Sequence, residues 1–412
     1  MRLLLVMLSL LASVVNLPSA EPANWPQWRG PTRDGQVAGP AWPDSLSAEK
    51  LKEKWYVKLG PGYPGPIVSK DAVFVVETRD GKDEVVRALD RKTGKQLWEA
   101  SWPGSVRVVF IGRPNGDWVK ATPALAGDTL YVVGMRDTLT ALDTANGKIR
   151  WQVDFIKEFG TGVPGFGCVS SPLVVDDAVY VQAAGSLVKV EAKSGKVLWR
   201  ALKSPGDGLK DNAFSSPFFA TLAGKPQVVV QARKELAGID PATGNTLWSI
   251  PVPAFQNTNV LTPLVIGDRV FTSSYSGGAF LFEVTKEGEG FRVTEVWKTK
   301  TQGYMTSPVL IENQIYLYLR SNRFASIDPK DGKDNWQTEK SFGKYWNLIA
   351  QKDRILALDE TGDLRLIRAT SEKFDLIDTR KIAQVATWGH LAIAGNELFI
   401  REQDGVRAWE WK

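Results

Sequence analysis

The chain has 412 residues, of which 43% are hydrophobic and 24% charged, a composition that is ordinary for a globular protein. Its formal net charge is +5, and because lysines and arginines alternate with acidic residues instead of forming a basic stripe, nucleic-acid binding has little support. The single cysteine, Cys168, excludes an internal disulfide and a cysteine-based zinc site, and the single histidine, His390, argues against a histidine-based metal site.

The first residues have the pattern of a secretory signal peptide. Arg2 provides a positive charge, Leu3–Leu11 is an apolar run too short to span a bilayer, and Pro18–Ala20 supplies the small residues of a cleavage site. We therefore predict that residues 1–20 are a signal peptide and that the protein is periplasmic or secreted. Residue 21 is Glu rather than Cys, so we expect no lipid anchor, and no later segment approaches the ~20 apolar residues of a membrane span.

Residues 21–50 lack the periodic pattern of the rest of the chain. They contain the run Trp25–Pro31 (WPQWRGP), and more Gly and Pro follow up to Gly39. Aromatic residues among Gly and Pro favour an irregular segment, which we call the strap, laid across the remainder of the fold. The sequence leaves open whether this strap plugs a central channel or clasps one side.

One short pattern recurs along the chain after residue 50. A β-rich segment ends in Asp, a turn containing Gly follows, and a Trp stands four residues after that Gly. The copies are Asp90, Gly94 and Trp98; Asp143, Gly147 and Trp151; Gly195 and Trp199, with Glu191 at the acidic position; Asp240, Gly244 and Trp248; and Asp328, Gly332 and Trp336. A degenerate copy with a longer turn ends at Trp297.

Each copy is typical of a β-hairpin. The Gly can adopt a positive φ, the Asp can accept backbone N–H groups of the turn, and the Trp on the outer strand can pack between adjacent sheets. A Ser-Pro or Thr-Pro pair opens another apolar strand upstream of most copies, and these pairs begin at Thr122, Ser171, Ser216, Thr262 and Ser307. Four antiparallel strands in each unit of roughly 40–50 residues predict the blades of a β-propeller.

We predict eight blades, with seven as the alternative. The outer strands are marked by Trp55, Trp98, Trp151, Trp199, Trp248, Trp297, Trp336 and the faded copy at Phe374–Ile377. Lys54–Leu59 would be an outer strand without a blade, and the C-terminus offers three strands without a fourth, at Leu391–Ala394, Leu398–Arg401 and Val406–Trp411. The two ends are therefore expected to meet in one blade. The predicted fold class is all-β, a single eight-bladed β-propeller of four-stranded antiparallel blades over residues 51–412.

The loops that lead from the outer strand of one blade to the inner strand of the next must share one face of such a ring. We call them inter-blade loops and this face the loop face. Three of them are long, at residues 101–120, 154–168 and 202–214. Aromatic and cationic groups around a funnel would suit a polar polymer, an anionic ligand or an extended peptide, whereas packing within the loops is the alternative for each residue. The candidate binding residues are Arg107, Arg113, Trp118, Lys120, Phe214, Tyr304, Tyr345, Trp346 and Trp388.

The remaining motifs predict no catalytic or metal-binding residue. Gly60–Gly65 formally matches a dinucleotide-binding fingerprint, but a strand rather than a helix follows, so no helix N-terminus would hold a pyrophosphate. His390 has no Gly-x-Ser-x-Gly nucleophile motif to complete a triad. We expect Asp176 and Asp177 to be solvated turn residues, and Cys168 to be a small buried apolar residue.

The pattern around Asp90, Ala-x-Asp-x-x-Thr-Gly-x-x-x-Trp, resembles the PQQ-like propeller repeat. This repeat is named after quinoprotein alcohol dehydrogenases and is also found in the propeller subunit of the machine that assembles outer-membrane β-barrels. The resemblance covers nearly all of residues 50–412, and the chain is closest in length to the assembly-machine subunit. Trp25–Pro31 looks like the opening of many exported members of uncertain role.

The resemblance implies a propeller fold, but it does not by itself imply a bound quinone cofactor. Quinoprotein alcohol dehydrogenases typically place a disulfide between adjacent cysteines over the quinone, hold calcium with side-chain oxygens and use an Asp as base, and no trio of this chain aligns with those positions. We therefore expect an exported, non-catalytic binding or scaffold propeller whose partner is another protein or a cell-envelope ligand. The alternative is a quinoprotein dehydrogenase with a divergent site for pyrroloquinoline quinone (PQQ) and calcium.

Overall fold

The computed structural model describes residues 24–110, 112, 116–204 and 213–412, so the predicted signal peptide lies outside the described residues. The described chain forms 32 β-strands and one five-residue helix. The strands pair into eight sheets of four antiparallel strands each. The protein is an all-β, eight-bladed β-propeller, which confirms the predicted count over the alternative of seven. None of the described helices is long and apolar enough to cross a membrane.

Seven of the blades are continuous in sequence, with the first strand innermost and the fourth outermost, since the first strands of neighbouring blades contact one another. After β1 (Leu51–Lys58), the blades are β2 (Ile67–Val68), β3 (Ala72–Arg79), β4 (Asp83–Asp90) and β5 (Gln96–Pro103) in blade 1; β6 (Ala124–Ala126), β7 (Thr129–Val133), β8 (Thr138–Asp143) and β9 (Ile149–Asp154) in blade 2; β10 (Leu173–Val175), β11 (Ala178–Ala183), β12 (Ser186–Glu191) and β13 (Val197–Ala201) in blade 3; and β14 (Phe218–Leu222), β15 (Lys225–Gln231), β16 (Glu235–Ile239) and β17 (Thr246–Pro251) in blade 4.

The second half of the ring continues the same order. Its strands are β18 (Leu264–Ile266), β19 (Arg269–Ser274), β20 (Gly278–Glu287) and β21 (Gly290–Thr299) in blade 5; β22 (Val309–Ile311), β23 (Gln314–Tyr318), β24 (Phe324–Ile327) and β25 (Asp334–Gln337) in blade 6; β26 (Trp346–Gln351), β27 (Arg354–Asp359), β28 (Asp363–Arg368) and β29 (Asp375–Lys381) in blade 7; and β30 (Ala392–Ala394), β31 (Glu397–Glu402) and β32 (Gly405–Trp411) in blade 8. The helix α1 (Phe155–Phe159) and a 3-10 turn at Phe255–Asn257 lie in inter-blade loops.

The two ends of the chain close the ring. β1 pairs with β32 from Leu51 opposite Trp411 to Lys58 opposite Gly405, and it forms the outer strand of blade 8. This confirms the predicted meeting of the N-terminal strand with the C-terminal blade. Apolar side chains fill the layers between blades, and Leu356 of blade 7 and Phe399 of blade 8, both fully buried, belong to the same layer.

The repeated turn holds each blade to its neighbour. Oδ1 of Asp90 accepts the backbone N–H of Thr93 at 2.8 Å, and Gly94 takes a φ of 72°. The indole of Trp55 lies so close that a Cβ on Gly94 would stand 2.8 Å from it, and its Nε1 donates to the carbonyl of Arg91 at 3.0 Å. The turn therefore needs Gly both for its conformation and for the approach of the ring. The same contact joins Trp98 with Gly147, Trp151 with Gly195, Trp199 with Gly244, and Trp297 with Gly332.

The remaining copies show where the pattern varies. Acidic side chains accept turn N–H groups in three of them: Asp143 from Ala145, Asp240 from Ala242, and Asp328 from Lys330. The indole of Trp336 donates to the carbonyl of Thr370 at 2.9 Å. Trp248 differs, because the next blade has the long β20–β21 hairpin in place of a Gly turn, and its Nε1 donates to Oε1 of Gln227 at 2.6 Å.

A chain of hydroxyl groups links the starts of the inner strands. Oγ1 of Thr122 accepts the backbone N–H of Gly65 at 2.9 Å, and each following hydroxyl accepts the N–H of the hydroxyl residue one blade earlier. The further bonds run from Thr122 to Ser171 (3.0 Å), from Ser171 to Ser216 (3.0 Å), from Ser216 to Thr262 (3.1 Å) and from Thr262 to Ser307 (3.3 Å). Blades 1 to 6 are thus joined by buried N–H groups whose acceptors are the Ser and Thr that precede proline.

Two buried carboxyl groups make similar links on the loop face. Glu84 of blade 1 accepts the backbone N–H of Met135 in blade 2 at 2.5 Å, and Asp137 of blade 2 accepts that of Ala184 in blade 3 at 2.8 Å. Burial raises the pKa of both, that of Asp137 to about 6. Cys168 is buried nearby in the apolar layer between blades 2 and 3.

Candidate functional site

Residues 25–37 of the strap lie in the central channel of the ring. Trp25 exchanges backbone hydrogen bonds of 2.8 and 2.9 Å with Val68 on the inner strand of blade 1, and the carbonyl of Pro26 accepts the N–H of Leu125 in blade 2 at 2.7 Å. On the other side, Val37 donates to the carbonyl of Ala350 on the inner strand of blade 7 at 2.8 Å. Three blades thus receive main-chain bonds from one irregular segment.

Two buried arginines of the strap bind backbone carbonyl groups of two further blades. Arg29 donates to the carbonyl of Pro308 at the start of blade 6, and Arg33 donates to that of Pro172 at the start of blade 3, at 2.8 Å. Because these blades are three positions apart in the ring of eight, this part of the strap plugs the channel. The strap also lies along one side of the ring, since Leu46 donates to Asp378 on the outer strand of blade 7 and the indole of Trp411 in blade 8 donates to the carbonyl of Ser45. The sequence could not decide between these two arrangements.

At the centre of the channel, the ring of Trp28 lies between the side chains of Arg29 and Arg33. The guanidinium carbons of Arg29 and Arg33 each lie 5.6 Å from the ring centroid of Trp28. Burial lowers the pKa of these guanidinium groups to about 10 and about 9, so both stay charged at neutral pH. Burial, together with the charge of Arg29, lowers the pKa of His390 to about 3, so this imidazole beside Trp28 is neutral. Its Nδ1 lies 3.1 Å from the carbonyl of Leu391, which fixes the ring.

A ring of aromatic side chains surrounds the channel mouth on the loop face. Each of the eight inter-blade loops contributes at least one partly or fully exposed aromatic residue. In blade order the residues of this ring are Tyr63, Trp118, Phe166, Phe214, Phe255, Tyr304, Tyr345 and Trp388. Three of the loops carry a further such residue, at Phe110, Phe159 and Phe342. Because the inter-blade loops all open on this face, the fold gathers residues that are far apart in sequence into one surface.

One part of this aromatic ring joins blades 1, 2, 7 and 8. Tyr345 stacks on Trp388 with centroids 5.4 Å apart, and Tyr63 lies 6.3 Å from Trp388 and 5.7 Å from Trp118. Nζ of Lys120 stands 5.7 Å from the centroid of the Tyr63 ring and donates to the carbonyl of Trp118 at 3.0 Å. Burial lowers the pKa of Lys120 to about 8, which leaves it mostly protonated at neutral pH.

The other contacts lie across the mouth. Phe166 and Phe214 meet edge to face at 5.6 Å between blades 3 and 4. Tyr275, from the β19–β20 turn, contacts both Phe255 at 5.0 Å and Tyr304 at 5.8 Å.

The structure places most of the predicted binding residues on this surface. Trp118, Lys120, Tyr345 and Trp388 come together, and Phe214 and Tyr304 belong to the other contacts of the ring. Arg107 is exposed on the first long loop, and Arg113 lies outside the described residues.

Trp346 is the exception. This predicted loop-face residue is fully buried at the start of β26, where its ring stacks on Tyr318 at 4.6 Å and lies 4.9 Å from Phe342. It fills the layer between blades 6 and 7 and is not open to a ligand. The preceding residue, Tyr345, is only partly buried and stacks on Trp388.

Sequence reasoning missed Tyr63, Phe166, Phe255 and Tyr275. The first three share a signal that was available, since each stands a few residues upstream of an inner strand, as Trp118 and Tyr304 do. Tyr275 has no such signal, because it comes from a hairpin turn and reaches the ring only through the fold.

The described residues do not fit a calcium-held quinone. No group of three or more His, Cys, Asp or Glu side chains in the described chain is arranged to hold a metal ion. The channel contains two guanidinium groups instead, which would repel a cation, and the only imidazole is buried with a strongly lowered pKa. The arrangement is suited to binding through aromatic and cationic groups.

Comparison with known proteins agrees with the propeller fold. The family model described as outer membrane protein assembly factor BamB matches residues 82–338. Outer membrane protein assembly factor BamB of Shewanella oneidensis is 26% identical over 336 residues, which is 78% of each chain. The 1-butanol dehydrogenase (quinone) of Thauera butanivorans is 27% identical over 175 residues, which cover 41% of this chain and 24% of that protein.

A solved structure gives the same fold. The crystal structure of BamB from Moraxella catarrhalis superposes with a TM-score of 0.61 at 16% identity, covering 88% of this chain and 98% of that one. At this identity the likeness concerns the fold alone.

Proposed function

Because the chain belongs to the PQQ-like propeller family described as outer membrane protein assembly factor BamB, we propose that it is a non-catalytic scaffold of the cell envelope. It acts in the periplasm or outside the cell after removal of residues 1–20, and its loop face binds a partner protein. The strap of residues 21–50 and the propeller of residues 51–412 form the working protein.

The observation that carries this proposal is the aromatic ring of the loop face. Trp, Tyr and Arg are the residues most often found at the energetic centres of protein interfaces. Here each inter-blade loop places at least one partly or fully exposed aromatic side chain around the mouth. They stand on the loops of a closed ring of short sheets, so a partner would meet a surface that needs little reordering.

A quinoprotein dehydrogenase is the weaker alternative. The match to the quinone-dependent relative of Thauera butanivorans covers 41% of this chain and 24% of that protein. A quinoprotein ethanol dehydrogenase of Pseudomonas aeruginosa matches 81% of this chain, but only 47% of its own length and at 21% identity, whereas the BamB relative matches 78% of each chain at 26% identity. The guanidinium groups in the channel oppose a calcium ion. Calorimetry with PQQ and Ca²⁺, followed by a dye-linked assay with simple alcohols, tests this directly. Saturable binding with turnover would overturn the scaffold proposal.

The scaffold proposal is tested in the source organism by deleting the gene and measuring the abundance of outer-membrane β-barrel proteins. We expect a decrease that the wild-type chain restores and that a Tyr345→Ala, Trp388→Ala double variant does not. The matched control is Leu97→Ala, Leu198→Ala, which removes two exposed apolar side chains from the outer strands of blades 1 and 3, away from the mouth. If the double variant restores the proteins as well as the control does, the loop face is not the binding surface.

A further inference from the structure

A second cluster on the loop face has its own architecture. The guanidinium carbon of Arg320, in the β23–β24 turn of blade 6, lies 3.8 Å from the ring centroid of Tyr275 in blade 5. Tyr275 in turn contacts Phe255 at 5.0 Å and Tyr304 at 5.8 Å. We call Phe255, Tyr275, Tyr304 and Arg320 the arginine patch. Phe255 is 49% exposed, although it is a large apolar side chain.

Main-chain contacts hold the arginine patch in place. The N–H of Phe255 donates to the carbonyl of Tyr275 at 2.8 Å. Gln302 connects the two turns, because its carbonyl accepts the N–H of Arg320 at 2.8 Å and its Oε1 accepts that of Ser276 at 3.1 Å. The exposed side chains are therefore presented by a backbone that is already ordered, which lowers the entropy lost on binding.

The backbone beneath the patch is strained. Gln256 and Asn257 have φ angles of 51° and 56°, and Ser276 has a φ of 65°. Residues other than Gly rarely adopt this left-handed region, and in the described chain fifteen of them do so. Two consecutive left-handed residues turn the chain directly after Phe255, at the position where its ring is exposed.

The charge of the patch is uncompensated. Arg320 is exposed, and no carboxylate of the described residues lies within ion-pair distance of its guanidinium group. The guanidinium carbon of Arg320 lies over the ring of Tyr275, and a guanidinium group offers N–H donors in its plane, where a carboxylate can bind two of them at once. The patch thus combines a carboxylate receptor with exposed aromatic surface.

We propose that the arginine patch docks a segment of a partner protein that presents a carboxylate next to an aromatic or aliphatic side chain. The carboxylate pairs with Arg320, and the apolar side chain packs against Phe255 and Tyr275. This inference rests on the proposed scaffold function and states which chemistry the partner brings to one part of the loop face.

The test uses a random peptide library displayed on phage and selected on the immobilised full chain. We expect the selected peptides to pair Asp or Glu with an aromatic or aliphatic residue. Synthetic copies are then measured by fluorescence anisotropy against the wild type, Arg320→Gln and the matched control Arg292→Gln. Arg292 is also exposed, but it lies on the β20–β21 hairpin at the opposite face of blade 5.

Arg320→Gln should weaken peptide binding about tenfold or more, as expected for an interface centre, and Arg292→Gln should leave it unchanged. A peptide in which the acidic residue is replaced by its amide should lose the same affinity for the wild type and show no further loss with Arg320→Gln. Thermal melts establish that both variants are folded.

Three results would overturn the inference. The first is a set of selected peptides without acidic residues, and the second is an equal loss of peptide affinity in the two arginine variants. The third is that Arg320→Gln no longer binds phosphatidylglycerol vesicles but still binds the peptides, which would make an anionic membrane the occupant. If the gene deletion still lowers outer-membrane protein abundance, only this inference fails. If it does not, the scaffold proposal fails independently of the peptide result.

Discussion

Replacing Ser216 by Ala tests the hydroxyl chain that joins the blades. Oγ of Ser216 accepts the N–H of Ser171 at 3.0 Å, and both residues are less than 5% exposed. The substitution removes one oxygen but leaves a buried N–H without an acceptor, which costs about 1–3 kcal/mol. The N–H of residue 216 keeps its own acceptor, Oγ1 of Thr262, so the loss is confined to one bond. We therefore expect the free energy of unfolding to fall by about 1–3 kcal/mol.

Urea unfolding followed by tryptophan fluorescence measures this loss as a lower midpoint at an unchanged slope. Ser216→Thr is the rescue variant, because Thr122 and Thr262 fill the same role in blades 2 and 5, and it should retain the wild-type midpoint. Ser194→Ala, which removes an exposed turn hydroxyl, should change stability by less than about 0.5 kcal/mol. If Ser216→Ala has the stability of the wild type, or if the Thr variant loses as much as the Ala variant, the reasoning is refuted.

Three further predictions concern other parts of the fold. Burial raises the pKa of Asp137 from 3.8 to about 6, so its ionisation opposes folding. The resulting loss in the free energy of unfolding is absent below about pH 4 and grows as the pH rises through 6, to about 3 kcal/mol. Asp137→Asn should remove that part of the pH dependence in thermal melts, and an unchanged profile would contradict it. Gly147→Ala should lower stability by about 1–3 kcal/mol, because its Cβ would stand 2.5 Å from the Trp98 ring. The control Gly127→Ala also has a positive φ but has open space around it, so it should cost about 1 kcal/mol. Equal losses of stability in urea titrations would show that the contact with Trp98 does not matter. Trp25→Ala removes the buried indole that anchors the strap, so it should lower stability by about 3–5 kcal/mol and speed tryptic cleavage after the arginines of the strap. A digestion rate equal to that of the wild type would contradict the placement of the strap in the channel.

Much of the fold could be predicted because the repeat encodes contacts between blades. Gly94 and Trp98 recur at fixed spacing because each Trp packs on the Gly turn of the next blade, so the periodicity of the sequence is the periodicity of the ring. Blade 8 was predicted from the strands left over at the two ends, even though its outer strand, Leu51–Lys58, is separated from its partner by most of the chain.

The channel and the loop face were less predictable because they depend on contacts that leave no pattern. Arg29 and Arg33 bind backbone carbonyl groups, which every residue possesses, so the sequence cannot show which blades they reach. Tyr345 and Trp346 are adjacent aromatic residues, and only the start of β26 between them decides that the first is partly exposed and the second fully buried. The stacking of Arg320 on Tyr275 joins turns of two blades and could not be read from either turn alone.

The closure of blade 8 has a consequence for the order in which the protein can fold. The strap and β1 emerge first during synthesis, but the partners of β1 are residues 405–411, and Arg29 binds a carbonyl in blade 6. Neither the plug nor the outer strand of blade 8 can form until nearly the whole chain is available for folding. Such long-range pairing is slow, and until it is complete the growing sheet stack has two open edges. The last residues of the chain therefore act as a latch, and a chain truncated before residue 405 would remain an open, aggregation-prone arc rather than a smaller ring.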